Sequence, residues 1–340
     1  MTTLLPRSRR LTAIAAIGAT AAIALTACGT ESDAPAGDGP ASQAECQGPD
    51  GDYLIGMSQA NNAEPYRVQM NDDIQAAASE IDQFDVKIAD AAQDSATQVS
   101  QVQNFITQKV DLLMISPNEA APLTSVVADA YNQGIPVIVL DRKVEGDAYT
   151  QFVGADNAEI GKRAGEFVAK ELLPDGGNVV EIRGLSGSTP AKEREDGFAK
   201  GIAGNPGIKI IDSGDGDWLL EKGQAEAQAM FKAHDDIDVV YSHNDPMGQG
   251  AAAAAEDAGV KDKIDIIGID GLPIPAGGLK SVEKGDLTAT FVYPTGGKEA
   301  VESAKQILID CEDVPKDITL ETEQVTKENA AEVYAKNETK

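Results

Sequence analysis

Residues 134–146 read GIPVIVLDRKVEG. The run Val137–Leu140 is apolar without alternation, which is the pattern of a short strand buried on both faces. It ends abruptly in Asp141 and Arg142. A buried strand has no use for charge at its end. In open parallel sheets, however, ligands bind just beyond the carboxyl ends of the strands, so an acid and a base at that point mark a place where a ligand is held.

The same pattern extends outward in both directions. Strands are expected at 52–57, 84–89, 111–115, 136–140, 150–154, 177–182, 207–211, 237–241, 264–269 and 287–292. Amphipathic stretches lie between them, and helices are expected at 65–82, 95–109, 120–133, 157–173, 190–203, 219–234, 246–258 and 295–309. This alternation implies right-handed βαβ units and parallel sheets. There are too many strands for one compact sheet, so the expected fold is α/β with two doubly wound parallel-sheet lobes.

The segments after the strands carry the chemistry. They read SQANNAEPYR, SPNE, DRK, RGLSGSTPAKER, DSGDGDW, SHNDP, DGLP and YPTGG. Asp accepts from two hydroxyls, Arg donates through a planar fork, and Asn does both. Aromatic faces cover the C–H side of a sugar ring. Asp141, Arg142, Arg67, Arg194, Asn244 and Asp270, with Tyr66 and Trp218, therefore make a set suited to a neutral polyol. Trp218 is the single Trp of the chain.

Composition narrows the partners. The chain has 340 residues, with 56 Asp+Glu against 28 Lys+Arg. No basic patch exists to displace phosphate counterions, so nucleic acid is excluded. The acidity favours solubility and repulsion between copies, and a monomer is expected. No cofactor or metal is expected. The chain contains two His, which supply a catalytic triad or a His-rich metal site poorly. The acidic loop DSGDGD does not have the spacing of a twelve-residue calcium loop.

Residues 1–27 read as a targeting segment. Arg7, Arg9 and Arg10 form a positive start, and residues 11–25 are apolar but short for a membrane span. LTAC then places Cys28 where a bacterial lipobox has its cysteine, so cleavage would leave a lipid-bearing Cys28 at the N-terminus. SRRL loosely resembles a twin-arginine signal, which leaves the export route open. Residues 28–50, rich in Gly, Ala, Pro, Ser and Asp, read as a flexible tether. A lipid, a tether and a globular body describe a protein anchored at the outer face of the cell membrane. The remaining cysteines, Cys46 and Cys311, are expected to be bridged outside the cytoplasm, with two buried thiols as the alternative.

Seven segments together, VSQVQNFITQKVDLLMISPNEA, IPVIVLDRK, VGADNAEIGKRAGEFV, GLSGSTPAKEREDGF, YSHNDPMGQGA, IIGIDGLP and LTATFVYPTGG, closely resemble the type I periplasmic sugar-binding proteins of ABC importers. The nearest groups are the ribose-binding and galactofuranose-binding ones. The resemblance runs from about Asp52 to about Leu320, with the motifs in family order. It implies a sugar held between two lobes that close about a three-strand hinge, and permease subunits as partners. It also implies a first lobe of 51–154 plus 294–320 and a second of 155–293 plus 321–340. The family's ligand positions fall on Tyr66, Arg67, Ser116, Asp141, Arg142, Arg194, Trp218, Asn244, Asp270 and Tyr293. Ser116 stands where the family has Asn, and Tyr293 where it has Gln. Arg67 in the second aromatic position resembles the galactofuranose branch, so a furanose, pentose or small polyol is expected. The same resemblance allows a sugar sensor that presents its closed form to a kinase or chemoreceptor.

Two features invite an enzyme. GQGAAA, Gly248–Ala253, matches the G-x-G-x-x-A dinucleotide fingerprint, with Asp270 about twenty residues on. SHNDPM, however, separates it from its strand, where the fingerprint needs the turn at once. GLSGS misses the G-x-S-x-G nucleophile elbow at Ser188. Lactose-repressor-type proteins share the lobe pair, but their DNA-binding helices have no counterpart in this sequence. A binding protein, not an enzyme, is expected.

Overall fold

The computed structural model describes residues 46–338. The targeting segment, Cys28 and most of the tether lie outside the described residues. In chain order the elements are β1 (Tyr53–Gln59), α1 (Pro65–Ser79), β2 (Phe84–Asp90), α2 (Ser95–Gln108), β3 (Leu112–Ser116), α3 (Ala120–Asn132), β4 (Val137–Leu140) and β5 (Gln151–Ala155). There follow α4 (Asn157–Phe167), β6 (Gly177–Arg183), α5 (Thr189–Ile202), β7 (Ile208–Asp215), α6 (Leu220–Ala233), β8 (Val239–Ser242), α7 (Asp245–Ala258) and β9 (Asp265–Ile267). The last are α8 (Gly278–Lys284), β10 (Ala289–Val292), α9 (Gly297–Lys305), β11 (Asp317–Leu320), β12 (Glu323–Thr326) and α10 (Ala330–Asn337).

The strands form two six-stranded sheets, ordered β11-β5-β4-β3-β1-β2 and β12-β10-β9-β8-β6-β7. Each is the centre of one lobe. The α/β architecture of two doubly wound lobes is the one that the alternation of apolar runs implies. In the first sheet β1 pairs in parallel with both β2 and β3, Ile55 lying opposite Val86 and Leu112. β3 and β4 are buried along their whole length, which explains their unbroken apolar runs. The chain passes from the first sheet to the second after β5, returns after β10, and crosses again between β11 and β12. α9 packs on α1 in the first lobe, and α10 on α8 in the second.

Several details depart from the sequence expectation. The short helices α8 and α10 have no counterpart among the expected helices. β11 and β12 are strands that no apolar run announces: they are four-residue edge strands, mostly exposed or half-exposed. β12 runs antiparallel to β10, so the second sheet is not wholly parallel. The helices expected at 157–173 and 295–309 each end in a π-helical turn, Val168–Leu172 and Gln306–Asp310. Helical periodicity does not separate the two windings.

Cys46 and Cys311 are joined by a disulfide, their Cα atoms 5.7 Å apart and 265 residues apart in sequence. The bridge fastens the segment before β1 to the chain after α9. Beside it, the Tyr53 hydroxyl donates to the Gly48 carbonyl at 2.7 Å. Closing so long a loop removes much unfolded-state entropy, so reduction should cost about 2–5 kcal/mol. The expected result is a melting temperature several degrees lower in reductant than without it. An unchanged transition in the Cys46→Ser/Cys311→Ser variant would show that the bridge contributes nothing.

Candidate ligand-binding site

The carboxyl ends of both sheets face one another across a narrow cavity lined by side chains of both lobes. The first lobe contributes Glu64, Tyr66 and Arg67 at the start of α1, and Asp141 and Arg142 after β4. The second contributes Pro190 and Arg194 from α5, Trp218 before α6, Asn244 at the N-cap of α7, and Asp270 after β9. The charged pair that ends the run Val137–Leu140 is thus a wall of this cavity. It is buried in spite of its charge, Asp141 being 4% and Arg142 1% exposed.

The chain turns sharply where it delivers these side chains. Asp141, Trp218 and Asp270 have φ of 61°, 71° and 137°. Asp tolerates the left-handed region through local hydrogen bonding; for a bulky residue such as Trp it is costly. Residues held in such conformations are often retained at functional sites.

The charges are matched inside the protein. Arg67 Nη2 donates to Asp141 Oδ2 at 2.6 Å, and Arg67 Nη1 to Ser116 Oγ at 2.8 Å. Arg142 Nη2 donates to Glu64 Oε1 at 3.2 Å, and Arg142 Nη1 to the Asn118 carbonyl at 3.2 Å. Arg194 Nε donates to Asn157 Oδ1 at 2.8 Å, and Nη1 to the His243 carbonyl. Burial opposes ionisation of Asp141, but Arg67, Arg142 and Arg194 outweigh it and hold its carboxyl below its ordinary value. Burial, with the neighbouring Arg67, pushes Arg142 down to about 10. Burial and the adjacent Asp245 carboxylate push Asp270 well above the usual carboxylate range. Asp245 itself is raised by burial to about 6, although Thr290 Oγ1 and the Gly271 N–H donate to it at 2.6 and 2.7 Å.

Several groups on the wall keep unspent capacity. Arg67 Nε, Arg142 Nε and Trp218 Nε1 are buried without a hydrogen-bond partner. No group among the described residues donates to the Asp270 carboxyl. Buried polar groups are normally satisfied, and such exceptions gather where a ligand completes them. The Trp218 ring lies 5.3 Å from the Arg142 guanidinium and 5.4 Å from that of Arg194, so it is clamped between the lobes.

Two of the expected contact residues stand behind the wall. Ser116 ends β3, and its hydroxyl orients Arg67. The Tyr293 hydroxyl accepts from the Ala155 N–H at 3.2 Å and from Asn157 Nδ2 at 3.3 Å, while its ring lies 5.1 Å beneath the Arg194 guanidinium. Tyr293 therefore ties two crossings together and props Arg194. Asn244 lines the cavity, but its Oδ1 caps α7 by accepting from Met247 N at 3.0 Å, and its Nδ2 donates to the Trp218 carbonyl at 3.0 Å. His243 supports the wall: Nδ1 accepts from the Gly184 N–H at 3.3 Å, which leaves Nε2–H to donate to Glu181 at 3.0 Å. Glu64 and Pro190 were not legible as site residues, because a Glu before Pro at a helix start reads as a cap. The glycines of GQGAAA lie inside α7, where Gly250 lets α6 approach, and they form no phosphate loop.

Two doubly wound lobes, joined by three crossings and closed over a buried polar cavity, define a two-lobed ligand-capture protein. The chain belongs to the periplasmic binding protein domain family, whose model matches residues 55–310. It is 36% identical over 229 residues to a galactofuranose-binding protein of Escherichia coli, covering 64% of this chain and 71% of that one. Among solved structures, it is similar to the fructose-binding periplasmic domain of a hybrid two-component system, with a TM-score of 0.81 and 41% identity, covering 84% of this chain and 94% of that one. It is also similar to a Mycobacterium smegmatis protein in complex with β-D-fucofuranose, with a TM-score of 0.78 and 32% identity, covering 83% and 93%.

Proposed function

We propose that the chain captures a neutral monosaccharide, a furanose, pentose or small polyol, between its lobes and delivers it to the permease subunits of an ABC importer. The observation that carries this reading is the internal pairing of the cavity's charges. Arg67 and Arg142 already have carboxylates from the protein, while single donors and the Asp270 carboxyl remain unspent. Hydroxyl groups, which donate and accept at once, match that remainder. Closure of the lobes about their crossings buries the ligand and gives the importer a shape to recognise. The chain is a monomer in this reading, held at the outer face of the cell membrane by lipid on Cys28. Fructose and furanose binding by the relatives supports the choice of sugar class.

A thermal-shift screen against pentoses, hexoses in both ring forms and polyols tests it. A ligand that binds only the folded chain stabilises it by about 2.7 kcal/mol at a hundred times its Kd. One sugar is expected to raise the melting temperature by several degrees; no shift with any sugar would refute the assignment. A sensory role is the second reading, favoured by the likeness to a two-component system's periplasmic domain. Co-purification with a permease rather than a kinase or chemoreceptor separates the two.

A further inference from the structure

Glu64 stands at the junction of two cavity arginines. Its carboxylate accepts from Arg142 Nη2 at 3.2 and 3.4 Å and lies 3.5 Å from Arg67 Nε. It also accepts from Asn61 Nδ2 at 2.6 Å. Asn61 Oδ1 in turn accepts the N–H groups of Ala63 and Glu64 at 2.9 and 3.0 Å, so the turn is set before any ligand arrives. Both carboxylate oxygens are engaged within the protein, which distinguishes Glu64 from Asp141. Asp141 commits only Oδ2, to Arg67, and keeps Oδ1 for a hydroxyl. Glu64 lines the cavity as a counter-ion and not as an acceptor for ligand.

A buried guanidinium facing a carboxylate is how proteins grip anionic ligands, because the planar fork matches the two oxygens. In this cavity the protein supplies that carboxylate itself. We infer that Glu64 is a specificity-determining residue that restricts the cavity to uncharged ligands, by occupying on Arg142 and Arg67 the place a sugar acid's carboxylate would take. The inference rests on the proposed capture of a neutral sugar. Without Glu64, the nearest acid oxygen to Arg142 is Asp141 Oδ2, 3.8 Å away and already bound to Arg67 at 2.6 Å. Arg142 would then be a buried charge in want of a partner, which is costly, and a carboxylate on the ligand would remove that cost. With Glu64 in place, an anionic ligand meets a guanidinium already occupied, beside the carboxylates of Glu64 and Asp141. Repulsion of this kind is how sites reject a wrong ligand.

Calorimetric titration of the full chain and of Glu64→Ala and Glu64→Gln, with neutral monosaccharides and the matching uronic and aldonic acids, tests the inference. Glu64→Ala vacates the place; Glu64→Gln keeps the shape and removes the charge, and serves alone if the alanine variant does not melt cooperatively. The wild type is expected to bind a neutral sugar and no acid. Each variant is expected to lose affinity for the neutral sugar and to bind a sugar acid at least tenfold more tightly than the wild type does. A purely structural role would weaken neutral-sugar binding and lower the melting temperature with no gain for any sugar acid, and that result would overturn the inference. A wild type that itself binds a sugar acid would also overturn it. A wild type that binds neutral sugar, with neither variant gaining an acid, overturns the inference and leaves the proposed function standing. A wild type that binds neither class refutes the proposed function, and this inference with it.

Discussion

Asp141→Ala is expected to weaken sugar capture roughly tenfold or more and to lower the melting temperature. The substitution removes the acid that pairs with Arg67 at 2.6 Å and leaves two buried guanidinium groups, Arg67 and Arg142, with Glu64 alone between them. It also removes the one carboxylate oxygen of the first-lobe wall that is free to take a ligand hydroxyl. Breaking the internal pair costs stability, whereas a ligand hydrogen bond to a charged group is worth about 1.5–3 kcal/mol. At 1.4 kcal/mol per tenfold, affinity should fall by roughly 10-fold or more. Because Asp141 has φ of 61°, alanine adds backbone strain that asparagine tolerates better. Asp141→Asn therefore separates charge from conformation, and it should lose affinity while melting closer to the wild type. Calorimetry on the sugar found by the thermal screen checks both variants, and wild-type affinity in Asp141→Asn would remove Asp141 from the site.

Gly161→Ala should damage the site from a distance. α4 and α5 cross so closely that a Cβ on Gly161 would lie 2.4 Å from the Arg194 carbonyl oxygen, and one on Gly197 would lie 2.2 Å from that of Ala158. These are backbone atoms, so the clash is relieved only by moving the helices apart. Both carry site machinery, since α4 begins at Asn157, which holds Arg194 Nε of α5 at 2.8 Å. Overpacking of this kind costs about 1–3 kcal/mol, occasionally more. A drop in melting temperature of a few degrees per kcal/mol is expected, with weakened sugar affinity although neither glycine touches the cavity. Gly204→Ala, with open space around its Cβ position, is the control and should be silent in both measurements.

Much of this was legible in the residues, for a local reason. Val137–Leu140 and Leu112–Ile115 are apolar without interruption because both faces of their sheets are covered, and burial on both faces writes itself into consecutive residues. The polar stretches that follow the strands mark the same end of each sheet, which is why Asp141, Arg142, Arg194, Trp218 and Asp270 could be named before their distances were known. Strand edges were less legible. β11 and β12 bury little, so nothing in DITL or EQVT distinguishes them from a linker.

Within the site, residue type did not reveal depth. Ser116 and Tyr293 occupy the right segments but lie one layer behind the cavity, holding Arg67 and Arg194. Glu64 reads as a helix cap in NNAEP, yet its carboxylate turns inward to guanidinium groups on α1 and after β4, the second of them 78 residues along the chain. The amino-acid sequence by itself determined the two doubly wound lobes, the end of each sheet that carries the site, and most of the side chains gathered there, because these follow from periodicity and from which residues are polar. Only the tertiary structure decided which charge partners which, which polar residues touch the cavity, and how β12 runs. Those outcomes depend on groups brought together from distant parts of the chain, and a buried charge takes its direction from the partner it finds there.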